Sequence, residues 1–460
     1  MLEKITMSEK NKMDVSIFKA YDVRGLYPSQ INQDTAYNIG QTLVSYTGAK
    51  KIIVGMDMRQ SSPELENSLI AGITDSGADA IKIGLATTPM LYFASWKIEA
   101  DVAVMITASH NPAEYNGMKF CLKNAVPIGE GSGMEEIRDL TLNGRFHQNE
   151  KKGRIIKEVD FLKKYLAFMS QFFKTGYSRK KIVIDFGNGM GILDKKVFEN
   201  FPAEIESVYL YDNLDGNFPN HEANPLKKET LFDLQKKVLE EKADLGVAYD
   251  GDADRVGFVD EKGEIIPMDY LIALLAKEVL KKNPGGLILM DLRSSNAVRE
   301  VIEEAGGKVN HCRVGHSLIK KQMREEGAIF AGELSGHYFF EENHKAEMAT
   351  LAVITLLNLM NETGFKVSEL VAELKRYFHS GEINFEVTDK KVVLEKLKEI
   401  YKNGKLDELD GIRIDFPDWW FNVRASNTEP KLRLNLEART KEIMKEKREA
   451  LMTLIKKPLS

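Results

Sequence analysis

Lys51-Ile52-Ile53-Val54-Gly55-Met56-Asp57 is an apolar, β-branched run that stops on an acid. Such a run reads as a buried parallel strand reaching its carboxyl-terminal loop. The pattern returns at Lys181-Ile182-Val183-Ile184-Asp185 and at Gly286-Leu287-Ile288-Leu289-Met290-Asp291. Each run is followed by helix-starting residues: Arg59 to Pro63, Gly187 to Gly189, and Arg293 to Asn296. A helical stretch and a second strand follow (residues 79–84, 206–211 and 307–314), and then a third strand (100–107, 243–249 and 327–332). Strands alternating with helices predict crossover units and a largely parallel sheet in each of three sibling domains.

Polar or glycine-punctuated breaks place the boundaries at 1–150, 151–258, 259–368 and 369–460. The last stretch departs from the repeat, with a charged amphipathic helix near Val392 to Tyr401 and a strand-rich remainder, and reads as a smaller α+β domain. Its lysine-rich end is expected to fray in solvent. At ~150 residues per domain, 460 residues suit three or four domains. A composition 43% hydrophobic and 29% charged is that of a folded chain. The net charge of −5 excludes a whole-chain basic field for nucleic acid. Cys121 and Cys312 cannot staple a chain this long and lack ligand spacing, which suits a reducing compartment. No apolar run approaches the ~20 residues of a membrane span, and Met1 to Lys12 has no export-type apolar region. A cytoplasmic protein, monomer or homodimer, is the expectation.

The loops after the third strands carry the chemistry, because ligands in open α/β sheets sit beyond the carboxyl ends of strands. In Tyr249-Asp250-Gly251-Asp252-Ala253-Asp254, three carboxylates alternate, so an extended loop turns them to one side. Their mutual repulsion, roughly 1 kcal/mol per pair in water and ~4 kcal/mol at an effective dielectric of 20, asks for a cation. Hard oxygen ligands favour Mg²⁺ or Ca²⁺ over zinc. An EF-hand is excluded, since Arg255 stands where its loop needs glycine and the flanks read as strands. In Thr107-Ala108-Ser109-His110-Asn111-Pro112, Ser109 is by residue type alone a turn residue. Opposite a divalent cation it becomes a phosphoryl carrier. A Ser109–His110 dyad is not expected, because adjacent side chains generally diverge and no nucleophile elbow exists. Glu333-Leu334-Ser335-Gly336-His337 suits vicinal sugar hydroxyls. Arg424-Ala425-Ser426-Asn427-Thr428 reads as a phosphate clamp or as an ordinary capped turn. Tyr21-Asp22-Val23-Arg24 is a candidate second anion contact.

Six blocks, KAYDVRG, TASHNPAEYNGMKF, YDGDADRVG, VGHSLIKK, GELSGHYFF and RASNTEPKLRL, run in order from Lys19 to Leu434. Together they resemble the α-D-phosphohexomutase family, most closely its bifunctional phosphomannomutase/phosphoglucomutase branch. The resemblance implies three mixed α/β domains and a smaller α+β domain around a central cleft. It implies conversion of mannose or glucose 1-phosphate to the 6-phosphate and back, through a hexose 1,6-bisphosphate (glucose or mannose) that also serves as activator. By motif, Ser109 is the phosphoserine, and Asp250, Asp252 and Asp254 hold Mg²⁺ with an oxygen at Ser109. Arg24, His110, Lys119 and Arg255 line the reacting end, with His337 the first candidate proton carrier and Lys119 the second. Glu333 and Ser335 grip the sugar, and Tyr21, Arg293 and His316 join them. Arg424, Ser426, Asn427 and Thr428 take the non-reacting phosphate. Two departures stand out. Ala253 replaces a usual glycine, which is awkward if φ is positive there, and Arg293 sits at a site often given to lysine. The readings set beside this one are a phosphoglucosamine mutase, a Mg²⁺-dependent phosphatase with an aspartyl nucleophile, and a sugar-phosphate binding protein.

Overall fold

The computed structural model describes residues 13–144, 146, 149–425 and 431–456. Three of its four sheets share one plan. In the first, the parallel strands Asp79–Leu85, Lys51–Met56 and Val102–Ile106 lie in that spatial order, and Tyr115–Leu122 returns antiparallel beside the last. The second repeats this with Ile205–Leu210, Lys180–Asp185, Leu245–Tyr249 and the antiparallel Val256–Asp260. The third does so with Lys308–Cys312, Leu287–Asp291, Phe330–Gly332 and the antiparallel Tyr338–Phe340. The threefold recurrence in the sequence is thus a threefold recurrence in space, and the sheets are largely parallel. In each unit the chemistry-bearing loop turns the chain from the last parallel strand into the antiparallel one. Both ends of the loop are tied into the sheet, which limits how far its side chains can wander.

The fourth sheet is antiparallel throughout, in the order Phe378–His379, Lys431–Ala438, Trp419–Ala425, Ile412–Asp415 and Lys405–Asp407. Ile383–Glu386 also pairs with Lys431–Ala438. The lysine-rich end does not fray: Lys441–Lys456 is a helix, with Met444, Leu451 and Ile455 buried against this sheet. The spacing of those three residues makes one apolar stripe, and the lysines are the solvated face around it. Residues 457–460 lie outside the described part.

Among the described residues, two of the five buried apolar clusters bear on how the units join. One buried apolar cluster runs without a break from Phe93 of the first unit through Phe161 and Tyr165 to Tyr249, Leu271, Phe330 and Leu356. The fourth domain has its own core around Phe385, Leu397, Phe421, Leu434 and Leu451. At ~1.5–3 kcal/mol per buried large apolar side chain, the first three units are welded into one body. The fourth meets it through polar contacts: the Arg413 guanidinium donates to Leu292 O at 2.5 Å and Asn296 Oδ1 at 2.9 Å, and Asn296 N donates to Glu437 Oε1 at 2.9 Å.

Candidate active site

Val102–Ile106 delivers Ser109 into its loop with φ 53°, a left-handed conformation that costs an L-residue about 1–2 kcal/mol. Arg59, fully buried, holds the loop there by donating to four of its carbonyls, those of Ser109, Asn111, Pro112 and Tyr115, at 2.6–3.0 Å. Asp57 fixes Arg59 in turn, accepting from its Nε at 3.1 Å and its backbone N–H at 3.0 Å. The unusual φ also turns Ser109 and His110 the same way, so His110 Nδ1 lies 3.2 Å from Ser109 Oγ. The expected divergence of these neighbours does not occur, because that expectation assumes ordinary extended backbone. Burial, and then Arg255 and Arg24, push His110 well below the usual imidazole range. Arg24 Nη1 donates to Asn111 Oδ1 at 2.7 Å.

The acidic loop faces this serine. Ser109 Oγ donates to Asp250 Oδ2 at 3.0 Å, which brings segments 141 residues apart to one point. Gly251 is packed so closely that a β-carbon there would lie 2.4 Å from Ser109 O. Asp250, Asp252 and Asp254 are wholly buried and each offers an oxygen within 4.8 Å of the others. Asp252 Oδ1 has no hydrogen-bond partner among the described residues. Burial, and then Asp254 and Asp252, push the Asp250 carboxyl up to about 8. An orphaned buried oxygen beside like charges is the frustration that a divalent cation relieves, and an all-oxygen donor set suits a hard one. Ala253 does adopt φ 58°, so the position that resembles a glycine site is strained here.

Lys119 inserts its ammonium between Asp252, at 2.7 Å, and Asp254. Against the pull of burial, those carboxylates hold it well above the usual lysine range. Thr88, at the start of helix Thr88–Lys97, donates from Oγ1 to Asp252 Oδ2 at 2.5 Å and from its backbone N–H to Asp252 O at 2.9 Å. Arg255 Nε lies 3.8 Å from Asp250 Oδ2.

His337 joins the acidic loop to the third unit. Its Nε2 is 3.2 Å from Asp254 Oδ1, and its Nδ1 is 3.0 Å from Glu333 Oε2 and 2.7 Å from Ser335 Oγ. Burial opposes its charge, yet Asp254 and Glu333 push the imidazolium up to about 9. Glu333 also accepts from Gly315 N at 2.9 Å, and Ser335 Oγ donates to Glu333 Oε2 at 2.6 Å. The His316 ring packs 5.8 Å from the His337 ring and 5.4 Å from that of Tyr21, whose hydroxyl donates to Val314 O at 3.2 Å.

At the far side, Arg293 is clasped by Asp291, donating from N and Nε to Oδ1 at 2.9 Å each. Arg424, on Trp419–Ala425, is buried with its Nε unpartnered among the described residues. Burial and then Arg293 lower its pKa, so two guanidiniums confront each other. Ser426, Asn427 and Thr428 lie outside the described residues. The functional residues missing from the sequence reading are Asp57, Arg59 and Thr88. The first two carry a signal, since Asp57-x-Arg59 repeats as Asp291-x-Arg293; Thr88 carries none.

The chain matches the phosphoglucomutase/phosphomannomutase α/β/α domain I over residues 15–148, domain II over 161–263, domain III over 267–377 and the C-terminal domain over 382–454. A phosphomannomutase of Methanocaldococcus jannaschii is 42% identical across 96% of this chain and 98% of its own length. A phosphomannomutase/phosphoglucomutase of Pseudomonas aeruginosa is 37% identical across 94% and 93%. Among solved structures, a phosphoglucomutase/phosphomannomutase family protein of Burkholderia thailandensis superimposes with a TM-score of 0.88 at 30% identity, covering 96% of this chain and 98% of that one. The chain belongs to the phosphoglucomutase/phosphomannomutase family, the bifunctional branch of the α-D-phosphohexomutases. It is an enzyme of hexose phosphate interconversion, and the amino-sugar alternative is not favoured. No helix among the described residues is long and apolar enough to cross a membrane.

Proposed function

We propose that the enzyme interconverts the 1- and 6-phosphates of mannose and glucose by way of a phosphoryl group carried on Ser109, with the hexose 1,6-bisphosphate as intermediate and activator. The observation that carries this reading is the 3.0 Å approach of Ser109 Oγ to the acidic triplet. Asp250, Asp252 and Asp254 would hold Mg²⁺, which when bound neutralises charge on the transferring oxygens. The chain's own part is positioning, since a loose phosphoryl transfer leaves little covalent work for a protein. Arg59 fixes the serine by its backbone. Arg24, His110 and Arg255 surround the transferring oxygens, and Lys119, held as an ammonium, offsets the carboxylates. Glu333 and Ser335 orient the sugar hydroxyls. His337, bridged between Glu333 and Asp254, is the group placed to move a proton at the accepting hydroxyl.

Arg293, Tyr21 and His316 complete the cleft, and Arg424, with Ser426, Asn427 and Thr428, takes the phosphate that does not react. The bisphosphate leaves its first pose, turns end for end and returns its other phosphate to Ser109. The clamp residue Arg424 lies on the fourth domain, and that domain swings over the substrate to exclude water. Ser109→Ala is expected to abolish interconversion while sugar phosphate still binds; turnover by that variant in a coupled assay would refute the role. Intact mass before and after dephosphorylation checks for the phosphoserine and sets the mutase apart from a binding protein. Asp252→Asn is expected to slow the reaction severely, and activity surviving in EDTA would argue against a cation.

A further inference from the structure

Behind the acidic loop, three parts of the chain meet in a polar contact that the reaction itself does not use. Tyr249, the last residue of strand Leu245–Tyr249 and the neighbour of Asp250, sets its hydroxyl 3.0 Å from Thr350 Oγ1. Thr350, in the first turn of helix Ala349–Thr363, donates that hydroxyl proton to Asp194 Oδ2 at 2.5 Å. A threonine has one proton to give, so Tyr249 must be the donor in its own contact. The bonds therefore run one way, from Tyr249 to Thr350 to Asp194. All three residues are essentially inaccessible to water, and the Tyr165 hydroxyl lies beside the carboxyl.

A carboxyl buried without a cationic partner is expensive. Burial pushes Asp194 up to about 6, against the pull of Thr350 and Tyr165, and its Oδ2 accepts the Thr350 hydroxyl. An apolar side chain would fill the same space at less cost. The segment that carries Asp194 also grips the loop from its other side: Met190 N donates to Gly251 O at 2.8 Å, and Gly189 packs against Gly251.

We infer that Asp194, Thr350 and Tyr249 form a hydrogen-bonded strut that positions the acidic loop for its cation. The inference rests on the reading of Asp250, Asp252 and Asp254 as the cation site. The strut sets where Asp250 leaves the sheet, and so the spacing of the three carboxylates, without touching substrate. These are positioning residues, and their loss weakens metal binding before it slows the transfer.

The test is Mn²⁺ binding to the full chain, followed by electron paramagnetic resonance, with Mg²⁺ activation measured in parallel. Tyr249→Phe and Thr350→Val are expected to raise the Mn²⁺ Kd and the Mg²⁺ half-activation concentration at least fivefold, with kcat recovered at saturating Mg²⁺. Asp194→Asn, which keeps an acceptor oxygen, is expected to bind Mn²⁺ within twofold of wild type. Should Thr350→Val fail to fold, Tyr249→Phe still decides, since it leaves the Thr350–Asp194 bond in place. Unchanged Mn²⁺ affinity in Tyr249→Phe, or Asp194→Asn binding as weakly as Thr350→Val, overturns the strut. If instead the wild-type chain binds no Mn²⁺, it is the cation reading that fails.

Discussion

Asp57-Met58-Arg59 and Asp291-Leu292-Arg293 occupy the same place in the first and third units, just past the first parallel strand. In both, the arginine donates from its backbone N–H and its Nε to the aspartate. From there they part. Arg59 is wholly buried and spends its remaining donors on four carbonyls of the serine loop. Arg293 keeps a tenth of its side chain exposed, faces Arg424 and reaches 3.6 Å toward Glu382 of the fourth domain. One motif thus serves as a brace under the serine loop in the first unit, and as a contact across the boundary to the fourth domain in the third.

The same substitution made at both places tests that contrast most severely. Arg59→Lys keeps the charge but strips the fork, leaving at least two buried carbonyls without donors at ~1–3 kcal/mol each. A stability loss of about 3 kcal/mol and a kcat roughly 100-fold lower are expected, from urea unfolding and a coupled assay. Near-normal activity would reduce Arg59 to an ordinary buried ion pair. Arg293→Lys is expected to do less: roughly 1 kcal/mol or below in stability for one lost charge-assisted bond, with KM for the hexose phosphate rising severalfold and kcat nearly kept. A collapse of kcat there would erase the distinction.

Glu382→Gln weakens the reach across the boundary together with one ion pair inside the fourth domain. Glu382 is partly exposed and also pairs with Arg433 at 3.2 Å, so a cost of at most ~1 kcal/mol is expected. X-ray scattering is expected to show a more open free protein and a wild-type profile once substrate binds. Superimposable free and bound profiles of the wild type would remove the swing itself. The smallest effect concerns pH. His379 Nε2 sits 2.6 Å from Glu437 Oε2 at this boundary, and although burial opposes it, Glu437 raises the imidazole pKa, with Asp269 adding and Arg413 opposing. A histidine whose folded pKa is raised contributes stability that is full below its unfolded value near 6.5 and is lost as pH climbs through the folded one. The fourth domain should therefore melt slightly earlier as pH rises through that window. The trend should vanish in His379→Asn; a trend that persists in the variant belongs to another group.

What the sequence made legible was whatever its own spacing encodes. The three acid-ended strands announce the repeat. Asp250, Asp252 and Asp254 lie on one short loop, so their meeting was legible, but a turn closed by Ala253 N donating to Asp250 O at 3.2 Å, with Ala253 at φ 58°, gathers them in place of the extended backbone expected. Ala253 signalled its left-handed backbone by standing where a glycine is usual. The repeated Asp-x-Arg marked Arg59, but its role stayed hidden because its partners are carbonyls, which every residue owns and no side-chain pattern marks. Thr88 and Thr350 were opaque because their partners lie 164 and 156 residues away. The lysine-rich helix was misread because its charges outnumber the three apolar residues that dock it. The return strands of the first and third units were hidden because the residues before them also suit a turn into a helix.

The contact of Gly251 with the carbonyl of Ser109 has a final consequence for the catalytic cycle. Main chain rests on main chain there, so the two loop backbones keep one separation, and only side-chain rotation at Ser109 and the aspartates alters the gap between them. In the proposed cycle both ends of a sugar meet this one centre, and the turn between them falls to the ligand and not to these two loops.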